Sequence, residues 1–284
     1  MRLAYLAFFA IIAILVIGFA VSSVRGPVPR ARVERFARRQ RLTINVGNGE
    51  QVIRYLATIR RWRAAGLAAG ILVSLATPPP GAILHVNFVM LFVGWFVGAL
   101  VAEVRVAHLA HGPRRAASLQ PRRPSSYLPR SAWALVPVTA GLAMAVGLAT
   151  GIAGALDRAA PDWTAVLWLV VSLALAITVR AIELAVLRRP QPLAEPDVLA
   201  ADDAIRSRSL HVLAGGGAAL ILFCVFAQLG AVHPFALYLV DTAEAIRTVG
   251  VFAAAVIGWT VATATWPPRP RAIPPPGVTP AGAQ

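Results

Sequence analysis

Arg180 and Glu183 stand three residues apart near the end of a long apolar run, with seventeen uncharged residues before them. Residues three apart share one face of an α-helix, so the two charges can neutralise each other. An isolated charge at mid-membrane would cost about 3 kcal/mol. A pair of this kind can line an ion or substrate path. The plainer reading puts both residues within a turn or two of the membrane surface, where long side chains snorkel to water. Glu103 with Arg105, at the end of another apolar run, invites the same two readings.

Other groups able to do chemistry are scattered. His85 and Asn87, near the outer end of one apolar run, and Asp157, Asp162, His233, Asp241 and Glu244, between runs, would form an external cation or metal site if they converged, but no ligand spacing among them is diagnostic. His211 reads as an interface anchor. Cys224 is the single cysteine, so there is no disulfide or thiolate metal site, and it reads as a small buried hydrophobe. Walker, His-Glu-x-x-His, Gly-x-Ser-x-Gly and Gly-x-Gly-x-x-Gly motifs are all absent. The sequence therefore assigns no catalytic, cofactor-binding or metal residue.

These residues are positioned by apolar runs. Hydrophobic residues make up 58% of the chain and charged ones 14%, where a soluble domain carries about 25% charged. The runs are long and separated by arginine-rich or proline-rich punctuation, the pattern of a polytopic helical membrane protein. The net charge of +15 comes from 27 arginines against 12 carboxylates, with no lysine. It lies between the runs and follows the positive-inside bias, so nucleic acid is not the expected partner. The arginine, alanine, valine and proline usage suggests a GC-rich, bacterial coding sequence.

Arg25 to Arg63 sets the orientation. Eleven arginines against Glu34 and Glu50 oppose transfer across a bilayer, so this segment is expected in the cytoplasm. Residues 1–25 read as a first transmembrane helix, Leu3 to Ser22. Ala20-Val21-Ser22 also resembles a signal-peptide cleavage site, but the arginines that follow favour a retained helix. Residues 26–63 form a basic cytoplasmic segment: a helix from Val28 to Arg41, a turn at Asn45-Val46-Gly47-Asn48-Gly49, and a second helix from Glu50. Residues 64–266 read as six membrane helices in three hairpins: Ala64–Thr77, Ile83–Val104, Ala132–Leu156, Trp163–Leu187, Leu210–Gly230 and Ile246–Trp266. Ala64–Thr77 is short and is expected to begin near Arg60 and turn outside at Pro78-Pro79-Pro80. Arg188 to Arg208 reads as a cytoplasmic loop, and residues 267–284 as a disordered tail. The fold expected is thus all-α, a transmembrane bundle of about seven spans, N-terminus out and C-terminus in. It places 23 arginines inside, 3 outside and Arg180 within a span.

Two further patterns concern packing and partners. Gly66-x-x-x-Gly70, Gly94-x-x-x-Gly98, Gly147-x-x-x-Gly151 and Gly215-Gly216-Gly217 allow close helix approach. Val52, Ile53, Leu56 and Ile59 form an apolar stripe beside Arg54, Arg60, Arg61, Trp62 and Arg63. Such a segment can lie on anionic lipid or dock a cytoplasmic protein, or serve only as a solvated elbow.

Three groups of loop residues, Arg54-Tyr55-Leu56 with Arg60-Arg61-Trp62-Arg63, Ala117-Ser118-Leu119 with Pro121-Arg122-Arg123 and Tyr127-Leu128-Pro129-Arg130, and Ala201-Asp202-Asp203-Ala204-Ile205-Arg206, resemble blocks in uncharacterised actinobacterial multi-span membrane proteins. The resemblance implies a cell-membrane protein and no particular activity. Two function classes follow. The first is a non-enzymatic membrane component, such as the membrane subunit of a transport or export assembly, with anionic lipid and a cytoplasmic protein as partners and no cofactor. The alternative is a membrane-embedded enzyme acting on lipid or isoprenoid substrates, which would need clustered carboxylates or histidines.

Overall fold

Asn45 starts the first long helix. Its side chain accepts from the Asn48 backbone N–H at 3.1 Å, and the Asn48 side chain accepts from the Asn45 backbone N–H at 3.0 Å. This reciprocal capping box satisfies two otherwise orphaned donors, and the helix it opens runs unbroken over Val46–Ala76. The Asn-Gly cluster expected to be a turn is therefore a helix cap, and the basic segment continues straight into the apolar Ala64–Thr77 stretch. The computed structural model describes residues 11, 14–18, 20–22, 25–77, 87–108, 115–116, 123–156, 163–192, 195–231 and 240–266. Most of Leu3–Ser22, the triple proline and the tail 267–284 lie outside the described residues.

The architecture is all-helical. In chain order the longer helices among the described residues after residue 25 are α1 (Arg30–Gln40), α2 (Val46–Ala76), α3 (Phe88–His108), α4 (Arg130–Leu156), α5 (Trp163–Arg188), α6 (Pro196–Ala231) and α7 (Val240–Thr263). A two-residue antiparallel ladder, Arg115–Ala116 against Gln191–Pro192, ties the connection after α3 to the α5–α6 turn. Among the described residues four helices are long and apolar enough to cross a membrane: Phe88–Ala107, Arg130–Ile152, Trp163–Arg188 and Pro196–Leu229; Thr248–Thr263 is a shorter apolar helix.

Helix α6 is the axis. It is 36 residues long, about 54 Å. It begins with Pro196, whose fixed φ and missing N–H suit a first turn, and with Asp197 against the positive helix end. Of its membrane window 83% is buried, against 39%, 17% and 22% in α3, α4 and α5. Helices α2, α3, α4, α5 and α7 all pack on it. A helix apolar all round belongs in the centre, and its neighbours turn their outer faces to lipid. Val138, Leu142, Leu148 and Ile152 on α4, and Leu167, Val170 and Ile177 on α5, are exposed in this way. The stretch Arg188–Arg208, expected as a loop, is a short turn followed by the first turns of α6. The apolar stretch Leu210–Gly230 is thus the continuation of a helix that begins fourteen residues before Leu210.

Glycines set the closest approaches. Gly66 and Gly70 of α2 face Gly94 and Gly98 of α3 backbone to backbone, and a Cβ on Gly66 would lie 2.8 Å from the Gly98 Cα. The three consecutive glycines of α6, about 100° apart on the helix, each admit a different neighbour. Gly215 receives the Gly258–Ala262 backbone of α7, Gly216 the Phe96 ring of α3, and Gly217 the Val179 side chain of α5. In lipid the hydrophobic effect does not drive apolar helices together, so this backbone proximity carries much of the association. Gly147-x-x-x-Gly151 behaves differently. Gly147 meets the Leu169 side chain first, and Gly151 has nothing within 4 Å.

Gly66→Ala should therefore destabilise by about 1–3 kcal/mol, since backbone stands on both sides and cannot yield. Gly151→Ala, in open space, should be neutral or stabilise by up to about 1 kcal/mol through helix propensity. Thermal unfolding of the two purified variants in detergent checks the contrast, and equal losses would contradict it.

Candidate functional site

The arginine-rich end of the bundle, where α3 and α5 finish and α6 begins, holds a buried charge cluster. Asp202 is fully buried on the second turn of α6. One carboxylate oxygen accepts from Arg206 at 2.9 Å, one turn along the same helix. The other accepts from Arg189, just past the end of α5. Arg206 is itself without exposure. Its remaining donors reach the carbonyl oxygens of Val186 at 2.5 Å, Leu187 at 3.1 Å and Arg189 at 3.2 Å. Those carbonyls end α5 and have no intrahelical partner, so one guanidinium caps a neighbouring helix and meets its negative end. Arg189 also donates to the Val106 carbonyl of α3 at 3.4 Å. Burial pulls the Arg189 guanidinium below its ordinary range, and the adjacent Asp202 charge opposes that shift.

The cluster extends sideways. The Arg206 guanidinium lies 5.9 Å from the centre of the Tyr127 ring. The Tyr127 hydroxyl donates to Asp203 at 3.2 Å. The Ser207 hydroxyl lies 2.7 Å from the Tyr127 carbonyl and 2.8 Å from that of Trp266 beyond α7. Asp202, Arg206 and their neighbours thus join α3, α5, α6, the segment leading into α4 and the residues following α7. Sequence reading placed Asp202 and Arg206 in a solvated loop and missed the cluster. The usable signal was the Asp-x-x-x-Arg spacing after a helix-starting Pro196.

A second cluster lies between α2, α3 and α6. Glu103 is fully buried, with Tyr55 3.4 Å from one carboxylate oxygen. Arg63, Arg208 and Ser209 face the same carboxylate. Arg208 also donates to the Ala262 carbonyl of α7. His211 is buried nearby, its Nδ1 2.8 Å from the Ser207 carbonyl.

The pair singled out by sequence is formed. Arg180 donates to Glu183 at 2.8 Å, with the guanidinium 3.5 Å from the centre of the Trp133 ring of α4. Arg180 is 33% exposed, as snorkelling requires, but the Glu183 side chain has no exposure. Glu183 is therefore held inside the bundle by its partner rather than by water.

The expected docking stripe is largely covered. Val52 is fully buried with Phe36, Tyr55, Val106, Ala201 and Ile205, and Leu56 and Ile59 pack against that group. Arg54 is exposed beside Glu50, 3.7 Å away. Arg60 donates to the Pro27 carbonyl at 2.9 Å and to that of Gly26. Arg61 is exposed. Trp62 lies under Arg105 and Trp95 under Arg63, each guanidinium 5.4 Å from the ring centre. Leu56 is thus a core contact, Ile53 stays exposed, and the arginines of α1 with Arg54 and Arg61 make up the exposed basic surface of the segment.

The external cation site is largely out of view. His85, Asp157, Asp162 and His233 lie outside the described residues, as do the side chains of Asp241 and Glu244. Asn87 serves the start of α3: its side chain accepts from Val89 N–H at 3.0 Å, and its N–H donates to Ser74 Oγ at 2.6 Å. Among the described residues no three His, Cys, Asp or Glu side chains come together as metal ligands. No family model, curated protein or solved structure matches the chain.

Asp202→Ala would leave two buried guanidinium groups without their counter-charge, and such a change costs about 3–5 kcal/mol. Folded yield and melting temperature should both fall. For Glu183→Ala a loss is expected that Arg180→Ala partly restores, with a coupling of about 0.5–3 kcal/mol in the double-mutant cycle. Purely additive effects would mean that Glu183 does not depend on Arg180.

Proposed function

We propose that the chain is a seven-span component of a bacterial cell membrane, with its N-terminus outside and its C-terminus in the cytoplasm. It acts without chemistry of its own, as the membrane subunit of a transport or export assembly. The observation that carries this reading is the state of the buried carboxylates. Asp202 is bound between Arg189 and Arg206, Glu183 is bound to Arg180, and Glu103 is packed beside Tyr55 with Arg63 and Arg208 facing it. Enzymes acting on isoprenoid or lipid diphosphates need carboxylates open to a metal. Each of these acids has an arginine or tyrosine of its own chain against it, which supports a role in holding the helices, while one oxygen each of Glu103 and Glu183 is buried without a hydrogen-bond partner among the described residues.

The partition of arginines, 23 to 3, supports the orientation. The surface offered to partners is α1, where Arg32, Arg35, Arg38 and Arg39 are exposed while Phe36 packs inward. A face of this kind suits anionic lipid or an acidic cytoplasmic protein. Reporter fusions should place residues 79, 159 and 233 outside and residues 40, 118, 198 and the C-terminus inside. A cytoplasmic signal at residue 79 would remove the second span. Purification from native membrane should bring down a cytoplasmic subunit, which charge reversal at Arg35 and Arg38 should release. Turnover of an isoprenoid or lipid substrate by the chain alone would overturn the non-enzymatic reading.

A further inference from the structure

Helices α2, α3 and α7 enclose a lateral groove of about 460 Å³ lined by Leu67, Phe92, Trp95, Phe252, Val256 and Trp259 among other apolar side chains. It opens on the outer face of the bundle, where Val256 is 60% and Trp259 51% exposed. Its walls are aromatic: the Phe92 and Phe252 rings meet edge to face with centres 6.1 Å apart, and those of Trp95 and Trp259 lie 5.9 Å apart. In size and apolar lining it matches a small-ligand site.

Charge selects the ligand. Arg63 lies one turn before Leu67 on α2 and rests on Trp95, at the arginine-rich end of the groove. Arg208 reaches Ala262, one turn beyond Trp259. Among the described residues Glu103 is the carboxylate that both guanidinium groups face, so two positive charges stand against one negative charge at that end of the groove. An occupant should therefore be apolar along the groove and anionic at that end. The chain's own N-terminal apolar run, Leu3 to Ser22, has no carboxylate to supply. A second copy would bring its own Arg63 and Arg208 to the same place. We propose that the groove is a binding site for an anionic phospholipid of the leaflet at the arginine-rich end. An acyl chain lies along Trp95, Phe252 and Trp259, and the headgroup phosphate is drawn to Arg63 and Arg208.

The inference rests on the bundle being embedded in a membrane and not on which end is cytoplasmic. Wrong-sided reporter fusions would leave it standing, and its failure would leave the topology untouched. The test uses the full chain in phosphatidylcholine vesicles doped with either brominated phosphatidylglycerol or brominated phosphatidylcholine, reading tryptophan quenching. Brominated phosphatidylglycerol should quench at about fivefold lower mole fraction, the preference expected from one basic residue near the surface. Trp95→Phe with Trp259→Phe should remove the preferentially quenched component, and Arg63→Gln should equalise the two lipids. Should Arg63→Gln fail to fold, Val256→Phe narrows the groove from an exposed position and should also abolish the preference without altering charge. Equal quenching of the unaltered protein would overturn the site, as would a preference that survives both variants. So would a preference that emerges only after residues 1–24 are removed, or only when a dimer is dissociated, since the groove would then be filled by protein.

Discussion

Asp202 places one negative charge between two guanidinium groups where water does not reach. A buried ion pair stands only when its geometry and remaining hydrogen bonds offset the loss of solvation. Here the remaining donors of Arg206 go to carbonyls that end α5, groups that would otherwise be orphaned near the membrane boundary. The charge and the helix end thus satisfy each other. The arrangement fixes α6 against α5 in both position and rotation, because the carboxylate, the guanidinium and the three carbonyls must meet together. The other helices pack on α6 and take their places from it.

Further into the membrane the means of association changes. Polar contacts become sparse and glycines take over, pairing Gly66 and Gly70 with Gly94 and Gly98, and giving α6 a different neighbour at each of Gly215, Gly216 and Gly217. A bundle held by a charged clasp at one end and by backbone proximity along its length needs no apolar outer face for its own cohesion. Its outer side chains are free to meet lipid, which is where the exposed valines, leucines and isoleucines of α4 and α5 are found.

This economy bears on function. The three buried carboxylates described here are each beside arginine or tyrosine, and that is the observation on which the proposed non-enzymatic role rests. What the molecule leaves available is surface: the arginine face of α1 and the aromatic groove between α2, α3 and α7. Both lie beside arginine and suit the anionic partners proposed for them.

Membrane class, the approximate windows of the apolar helices and the uneven arginine distribution were legible in the chain itself, because each depends on local composition. The Arg180–Glu183 pair was legible from spacing, since helical geometry alone brings the two together. Burial was not. Whether an arginine snorkels or is enclosed depends on what stands opposite it, and the groups opposite Arg206 are backbone carbonyls of another helix that carry no sequence signature. The same limit explains the apolar stripe at Val52, Leu56 and Ile59, whose periodicity marks a face but cannot say that Phe36 and Ile205 cover it. It explains the glycines as well. Three Gly-x-x-x-Gly motifs look alike in sequence, yet two of them form a backbone contact with each other and the third leaves Gly151 open. Composition and period are local properties of one segment; the partner of each face is settled only when distant segments compete for the same space.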